Sequence, residues 1–185
     1  MIQRKQVRLR AIEREDLPTF VRWLNDPEVS RGISLFLPIS ETDEEAWYEN
    51  QQKLDPADRS LAIEIQPDPE QEEWVFVGSC GYLQRSWRNR SAEIGLQIGE
   101  KKYWNQGFGT RVVELMLKFG FQELNLHRIW LQVFESNPGA IRAYEKAGFQ
   151  LEGRFRDGFY LEGHYVDVMI MSMLKPEWKG SQNES

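Results

Sequence analysis

Two glycines directly before a long amphipathic segment restrict what this chain can fold into more than any other feature. Gly107 and Gly109 lie in the stretch Tyr103–Thr110, and apolar residues then recur at spacings of three and four as far as Leu124. This period predicts a helix with one apolar face. The first turn of a helix has unsatisfied N–H groups and a partial positive charge, which glycine lets an anion approach closely. The stretch therefore either receives phosphate or merely begins a helix with flexible residues.

The loop differs from the two common nucleotide-binding patterns. A P-loop needs Gly-Lys-Ser/Thr, and a dinucleotide turn needs Gly-x-Gly-x-x-Gly. The stretch Gly107-Phe108-Gly109-Thr110 satisfies neither pattern. A nucleotide-binding protein is therefore disfavoured.

The residues after this helix predict a strand and then a short capped helix. Arg128–Phe134 is rich in β-branched and aromatic residues, which favour a strand. Asn137 is a good N-cap, and Pro138 suits the first helical position. The helix is predicted to run from Pro138 to about Ala147 and to end at Gly148.

This order of loop, helix, strand, Asn cap, helix and Gly-Phe resembles the GNAT superfamily of acetyl-CoA-dependent N-acetyltransferases. The matching residues are Gly107-Phe108-Gly109 for the pyrophosphate loop and Asn137–Phe149 for the later motif. The family's loop pattern is Arg/Gln-x-x-Gly-x-Gly/Ala, and Trp104 departs from it at the first position. A Tyr-Trp pair before the loop is often seen in the branch that resembles the ribosomal-protein (Rim-type) alanine/serine N-acetyltransferases, which also includes many small-amine acetyltransferases. The resemblance extends from about Val7 to Leu174.

The predicted fold class is α/β (α+β), in the order β-α-α-β-β-β-α-β-α-β-β. The resemblance implies a mixed, mostly antiparallel central sheet with helices on both faces. We expect one N-acetyltransferase domain over residues 1–185, with its core in residues 7–174 and a polar tail in residues 175–185 that frays from Trp178. Thr42 with Glu45 predicts the start of the second helix as a capping box. Asp157-Gly158 and Glu162-Gly163 are predicted as turns between strands.

Composition limits the partners and the compartment. Lys and Arg number 23 and Asp and Glu number 29, which gives a net charge of −6 and disfavours nucleic acid as a partner. An acidic surface modestly favours a cationic acceptor, although it also serves solubility. The single cysteine, Cys80, excludes an intrachain disulfide. No apolar run reaches membrane-spanning length, so we expect a soluble, cytoplasmic protein with no membrane partner.

The resemblance implies acetyl-CoA as co-substrate and no metal. Its pyrophosphate would bind the loop, and Asn137 would contact the pantetheine arm. Gly95 within a predicted strand suggests a bulge that splays the strand from its neighbour. Backbone groups of the residues after it would then pair with the pantetheine amides. The predicted coenzyme-binding residues are Leu96, Gln97, Ile98, Trp104, Asn105, Gln106, Gly107, Phe108, Gly109, Thr110 and Asn137.

Acetyl transfer to an amine makes two demands on protons. The acceptor amine, with a pKa of about 10, must lose a proton, and the leaving thiolate must gain one or be stabilised by a hydrogen bond. By the resemblance Tyr144 is the general acid, although a tyrosine on that helix face is also typical of core packing. Glu93 is the candidate base, acting through a water, or else a solvated strand residue.

Three other side chains could take part in this chemistry. His164 is a second candidate base and His127 a weaker one. Cys80 could hold an acetyl group covalently, but no activating base is evident beside it, so we interpret it as a small buried hydrophobe.

Direct attack in a ternary complex is the predicted mechanism, with a small amine, a polyamine or a protein N-terminus as the acceptor. The alternative is a catalytically inactive acyl-CoA-binding regulatory module on the same fold. A homodimer is a further expectation.

Overall fold

The computed structural model describes residues 1–33 and 35–180. The strands are β1 (Ile2–Arg4), β2 (Val7–Ala11), β3 (Leu61–Ile65), β4 (Val75–Ser86), β5 (Ser91–Ile98), β6 (Arg128–Phe134), β7 (Gln150–Leu161) and β8 (His164–Leu174). The α-helices are α1 (Leu17–Leu24), α2 (Pro27–Ser30), α3 (Glu41–Gln52), α4 (Phe108–Gln122) and α5 (Pro138–Ala147). Short 3₁₀ turns cover Arg14–Asp16, Arg31–Ile33, Pro56–Asp58 and Lys101–Tyr103.

The strands form one eight-stranded sheet in the order β1-β2-β3-β4-β5-β6-β8-β7. The pairs β1–β2, β2–β3, β3–β4, β6–β8 and β7–β8 are antiparallel, and β5–β6 is parallel. The parallel pair is the one joined by helix α4, as a parallel crossover requires. The predicted mixed, mostly antiparallel fold is confirmed.

Along the chain the described residues form two compact units. The first comprises residues 1–82 and 96–106, and the second comprises residues 83–95 and the chain from Gly107 onward. Strands β4 and β5 therefore each contribute residues to both units. The single-domain expectation stays a prediction.

The first unit is built on an aromatic cluster beneath helix α1. Phe20 meets Trp23 edge-on with ring centroids 5.8 Å apart, and Phe76 lies 4.8 Å from Trp23. Such offset aromatic contacts add to the burial of apolar area. The buried members of this cluster are Ile12, Leu17, Phe20, Trp23, Val29 and Ala62, with Leu24, Trp47, Tyr48, Phe76 and Trp104 packed against them.

The basic residues that alternate with apolar ones in β2 have a structural role. Arg10 forms a two-pronged pair with Asp16, at 2.7 and 2.8 Å, and also donates to Glu64 at 2.9 Å. Arg8 pairs with the other oxygen of Glu64. Because both carboxylates are buried, these pairs satisfy charges that would otherwise be costly. The network therefore ties β2, β3 and the start of α1 together.

The second unit packs helices α4 and α5 with strands β6 to β8. Phe121 of α4 is fully buried and lies 5.5 Å from the ring of Trp178. The expectation that the chain frays from Trp178 is therefore wrong for that residue. Lys175 also donates its backbone N–H to the carbonyl of His127 at 2.8 Å.

Two local predictions of the sequence need correction, and one strand was missed. Helix α3 begins earlier than predicted, because Ser40 is its N-cap and forms the capping box with Asp43 instead of Thr42 with Glu45. Asp157-Gly158 is an irregularity within the long strand β7, where the pairing passes from Phe155–Val168 to Phe159–Val166. The three-residue strand β1 was not predicted.

The bounds of the segment from β6 to α5 are confirmed, as is the hairpin turn at Glu162-Gly163. Within the part of the chain that the structure describes, no helix is long and apolar enough to cross a membrane.

Candidate active site

The predicted phosphate loop forms an open N-terminus on helix α4. Gly107 is the N-cap and takes a left-handed conformation with φ of +82°, which glycine adopts without steric cost. The side chain of Phe108, at the first helical position, is buried and anchors the turn. A Cβ added at Gly109 would meet no atom within 4 Å. The first turn is therefore fixed in place and leaves space beside its backbone.

Helix α4 carries no acidic side chain in its first turn. A fifteen-residue helix presents partial positive charge at that end, and no carboxylate of its own first turn competes for it. This arrangement fits an anionic group such as a diphosphate.

The end of β5 lies directly before this loop. Pairing of β5 with β6 runs from Ser91–Arg128 to Glu93–Trp130 and ends there, while β5 continues to Ile98. Leu96, Gln97 and Ile98 are half-buried. The side-chain Nε2 of Gln97 is buried and has no hydrogen-bond partner within the described residues.

Loop residues 104 to 106 differ in their exposure. Trp104 is half-buried, and its indole N–H donates to the carbonyl of Ile98 at 2.7 Å. Asn105 is exposed in a left-handed conformation with φ of +60°, and exposed Gln106 donates to the carbonyl of Lys102 at 2.6 Å. Thr110, in the first turn of α4, is half-buried.

Glu93 is a buried carboxylate held by two amides. It is 8% exposed, and Gln84 donates to its Oε2 at 2.9 Å while Gln132 donates to its Oε1 at 3.3 Å. Burial raises the pKa of Glu93, and the Gln132 hydrogen bond partly opposes that rise. A carboxyl with a raised pKa is a stronger base than an exposed glutamate. The interpretation of Glu93 as a solvated strand residue is wrong.

Sequence reasoning missed the two glutamines that hold Glu93. Gln84 takes an uncommon left-handed conformation with φ of +47°, and it lies nine residues from Glu93 along the chain. Gln132 lies 39 residues away, on β6. Only the pairing of strands brings these amides to the carboxylate, and no local signal marks them.

Tyr144 lies on helix α5 with its ring packed near Phe149, at 5.8 Å between centroids. The residue is 6% exposed, and burial raises the pKa of its phenol to about 12. Its hydroxyl makes no hydrogen bond within the described residues. The phenol therefore keeps its proton at neutral pH and has it free to donate.

Asn137 caps helix α5 as predicted. Its Oδ1 accepts a hydrogen bond from the N–H of Ala140 at 3.1 Å. The cap occupies only the oxygen, so the Asn137 side-chain NH₂ is left to serve as a donor to a ligand.

The remaining candidates have weaker support. His127 and His164 are both exposed, and His164 stands at the hairpin end of β8 opposite Leu161. Cys80 is buried, and burial raises the pKa of its thiol, so it is not a ready nucleophile. Among residues 1–33 and 35–180, no group of three or more His, Cys, Asp or Glu side chains could hold a metal ion.

Glu44 on helix α3 is a further buried carboxylate that the sequence did not single out. It is 6% exposed, and burial raises its pKa to about 7. Its carboxylate has no ion-pair or hydrogen-bond partner in the described part of the chain. A buried carboxylate without a cation is costly in its charged form, so this position favours either protonation or a cationic ligand.

The Acetyltransferase (GNAT) domain family model matches residues 6–150. This chain belongs to the GNAT acetyltransferase family. The family resemblance, the fold and the enzyme class inferred from the sequence are thereby confirmed, and the chain is an N-acetyltransferase.

The chain also resembles individual acetyltransferases in sequence and in fold. A spermidine N(1)-acetyltransferase of Vibrio cholerae is 31% identical over 94% of this chain and 95% of its own length. A putative ribosomal N-acetyltransferase of Bacillus subtilis, YdaF, is 35% identical over 51% of each chain. The crystal structure of spermidine N-acetyltransferase from Vibrio cholerae in complex with CoA and spermine has a TM-score of 0.82 and 28% identity to this GNAT chain, over 95% of this chain and 99% of that one.

Proposed function

We propose that this GNAT enzyme transfers the acetyl group of acetyl-CoA to a primary amine of a small cationic acceptor of the polyamine class. The observation that carries the proposal is the end-to-end likeness, in sequence and in fold, to a spermidine acetyltransferase whose structure holds CoA and spermine. The likeness to the ribosomal relative covers about half of each chain. A protein N-terminus is therefore the second candidate acceptor.

Three parts of the chain would hold the coenzyme. The N–H groups at the start of helix α4 receive the diphosphate, with Gly107 and Gly109 giving it room. Backbone groups of residues 96–98 pair with the pantetheine amides as an added strand would. Asn137 donates its side-chain amide to the same arm.

The chemistry needs two proton transfers. The neutral amine attacks the thioester carbonyl, a C–N bond forms, and the C–S bond breaks with the electron pair on sulfur. Tyr144 donates a hydrogen bond and then its proton to that sulfur, while Glu93 accepts the amine proton through a water. A buried site that raises the pKa of the phenol also raises that of the thiolate, because it disfavours both anions.

Glu44 supports a cationic acceptor. Its buried carboxylate lacks a cationic partner within the described residues, and its raised pKa lies near neutrality. An ammonium group bound beside it would supply the missing charge and keep Glu44 ionised.

A panel of acceptors tests the proposed function. We expect turnover with acetyl-CoA and spermidine, weaker turnover with butylamine, and little with a peptide beginning with Ser or Ala. Glu44→Gln should raise KM for spermidine about ten- to a hundred-fold, because a charged hydrogen bond is lost. KM for butylamine, which has no second ammonium, should change less.

Glu45→Gln is the matched control for Glu44, one residue along the same helix, since the Glu45 carboxylate already pairs with Arg14. A peptide preferred over every small amine would overturn the acceptor assignment. Coenzyme binding without any turnover would favour the inactive regulatory module instead.

Glu93→Gln tests the base. The carboxylate is ionised only above its raised pKa, and the acceptor amine deprotonates unaided only near pH 10. Between those values we expect the variant to lower kcat/KM, with a defect that is largest towards the acid end and shrinks as pH rises. A small defect independent of pH would assign Glu93 a structural role.

The control for Glu93→Gln exchanges the partners. In Glu93→Gln with Gln84→Glu, one carboxylate again faces one amide, so the hydrogen bond is restored but the carboxylate is moved. Any stability lost in the single variant should recover in this double variant, while the pH-dependent defect in kcat/KM persists.

A homodimer and a cytoplasmic location remain predictions.

A further inference from the structure

The indole of Trp104, a residue of the loop before helix α4, makes a hydrogen bond to a residue outside that loop. Its Nε1 donates to the carbonyl of Ile98, six residues earlier, at 2.7 Å. The ring is half-buried and packs against the aromatic cluster of helix α1. The side chain therefore reaches back to the end of β5.

The end of β5 is held closely by two glycines, Gly99 directly after it and Gly78 on β4. A Cβ at Gly99 would lie 2.2 Å from the ring of Trp23, and a Cβ at Gly78 would lie 1.9 Å from the carbonyl oxygen of Gln97. The N–H groups of Gly99 and Glu100 both donate to the carbonyl of Val77, at 2.8 and 3.2 Å. Close approach of this kind is possible only without side chains.

Ile98 lies between these two fixed points, and Trp104 takes one lone pair of its carbonyl. A carbonyl oxygen has two lone pairs and can accept from a second donor as well. The hydrogen bond from the indole holds the carbonyl in one orientation, which also sets the direction of its second lone pair.

We propose that Trp104 is a positioning residue that acts through Ile98: its indole N–H fixes the Ile98 carbonyl in the orientation in which residues 96–98 receive the pantetheine arm of the coenzyme. This inference rests on the proposed function. It also gives a role to tryptophan at position 104, where the family's loop pattern has Arg or Gln. The direct contact of Trp104 with the coenzyme, expected from its loop position, stays a separate prediction.

Trp23 provides a matched comparison in the same cluster. It is 3% exposed, and its indole N–H has no hydrogen-bond partner within the described residues. Removing the N–H at position 23 therefore breaks no hydrogen bond, whereas removing it at position 104 breaks one.

The test replaces the indole N–H by sulfur, using 3-benzothienylalanine at position 104 and, as control, at position 23. Calorimetry then measures the binding of two ligands, CoA and 3′-phospho-ADP, which lacks the pantetheine arm. We expect the change at position 104 to weaken the binding of CoA about five- to thirty-fold, which is the contribution of one or two hydrogen bonds. Binding of 3′-phospho-ADP should stay within about two-fold, and the change at position 23 should leave both ligands within that range.

Equal losses for the two ligands at position 104 would mean that Trp104 serves the diphosphate loop, and would overturn the inference. Unchanged CoA binding, or an equal loss from position 23, would also overturn it. Wild-type protein that binds neither ligand would refute the proposed function and this inference together. Wild type that binds both, with a variant that binds both equally well, would refute this inference alone.

Discussion

Tyr144→Phe should lower kcat about 10²–10⁴-fold, which corresponds to roughly 3–5 kcal/mol at the transition state. The substitution removes only the hydroxyl and keeps the ring, so the contact with Phe149 is retained. Because the hydroxyl makes no hydrogen bond within the described residues, its loss leaves no buried partner unsatisfied. Stability should therefore change little.

The defect should appear in kcat because the proton is needed when the thiolate leaves and not when the coenzyme binds. Affinity for acetyl-CoA should stay within a few-fold of wild type. With an acetyl donor whose leaving group is a weaker base, the substitution should lower kcat less. Tyr160→Phe, at an exposed tyrosine of β7, is the control and should keep full activity.

Steady-state kinetics would measure kcat, and calorimetry would measure the affinity for acetyl-CoA. A folded Tyr144→Phe variant with near wild-type kcat would make the phenol a packing group, with water protonating the thiolate. The acetyltransferase assignment would survive that result, but the proposed acid would not.

Gly109→Asp should abolish most coenzyme binding while leaving the helix at least as stable. Gly109 is the second residue of α4, where a carboxylate interacts favourably with the helix dipole and any side chain replaces a flexible glycine. Its Cβ would meet no atom within 4 Å, so the fold has room for it. A diphosphate at this turn would meet a like charge at about 4 Å, which costs about 4 kcal/mol at a surface dielectric of about 20.

Gly109→Asn has the same size without the charge and is the matched control. Calorimetry should show a moderate loss for Asn from crowding and a further loss of at least about ten-fold for Asp, since 1.4 kcal/mol is ten-fold. The gap between the two should narrow in high salt, which screens partly exposed charges. A folded Gly109→Asp variant that binds CoA as wild type does would place the diphosphate elsewhere.

The segment from β6 to α5 was predictable because its signals are local. Asn137 before Pro138 marks the start of the helix and Gly148 marks its end. The same reasoning failed for α3, because both Ser40-Asp43 and Thr42-Glu45 match a capping box, and in the structure Glu45 pairs with the distant Arg14 instead. Sequence chemistry also cannot tell a turn from a bulge at Asp157-Gly158, since both favour the same residues; the long pairing with β8 decides it.

The candidate site also contains residues that the sequence could predict and residues that it could not. The glycine loop and Tyr144 follow from residues adjacent in sequence and from the family resemblance. The amides around Glu93 come from two other positions in the sheet, and the bond from Trp104 to Ile98 depends on how the loop folds back. Glu44 carries no sequence signal, because it is one of several acidic residues at the start of α3, and its neighbours Glu41 and Asp43 are exposed.

Initial rates with acetyl-CoA and spermidine varied together test the central claim most directly. Direct transfer in a ternary complex predicts reciprocal plots that intersect, with one acetyl group gained by the amine for each thiol released. Parallel lines, with an acetylated enzyme as intermediate, would contradict the direct attack. Absence of turnover with every amine, in protein that binds the coenzyme, would contradict the function itself.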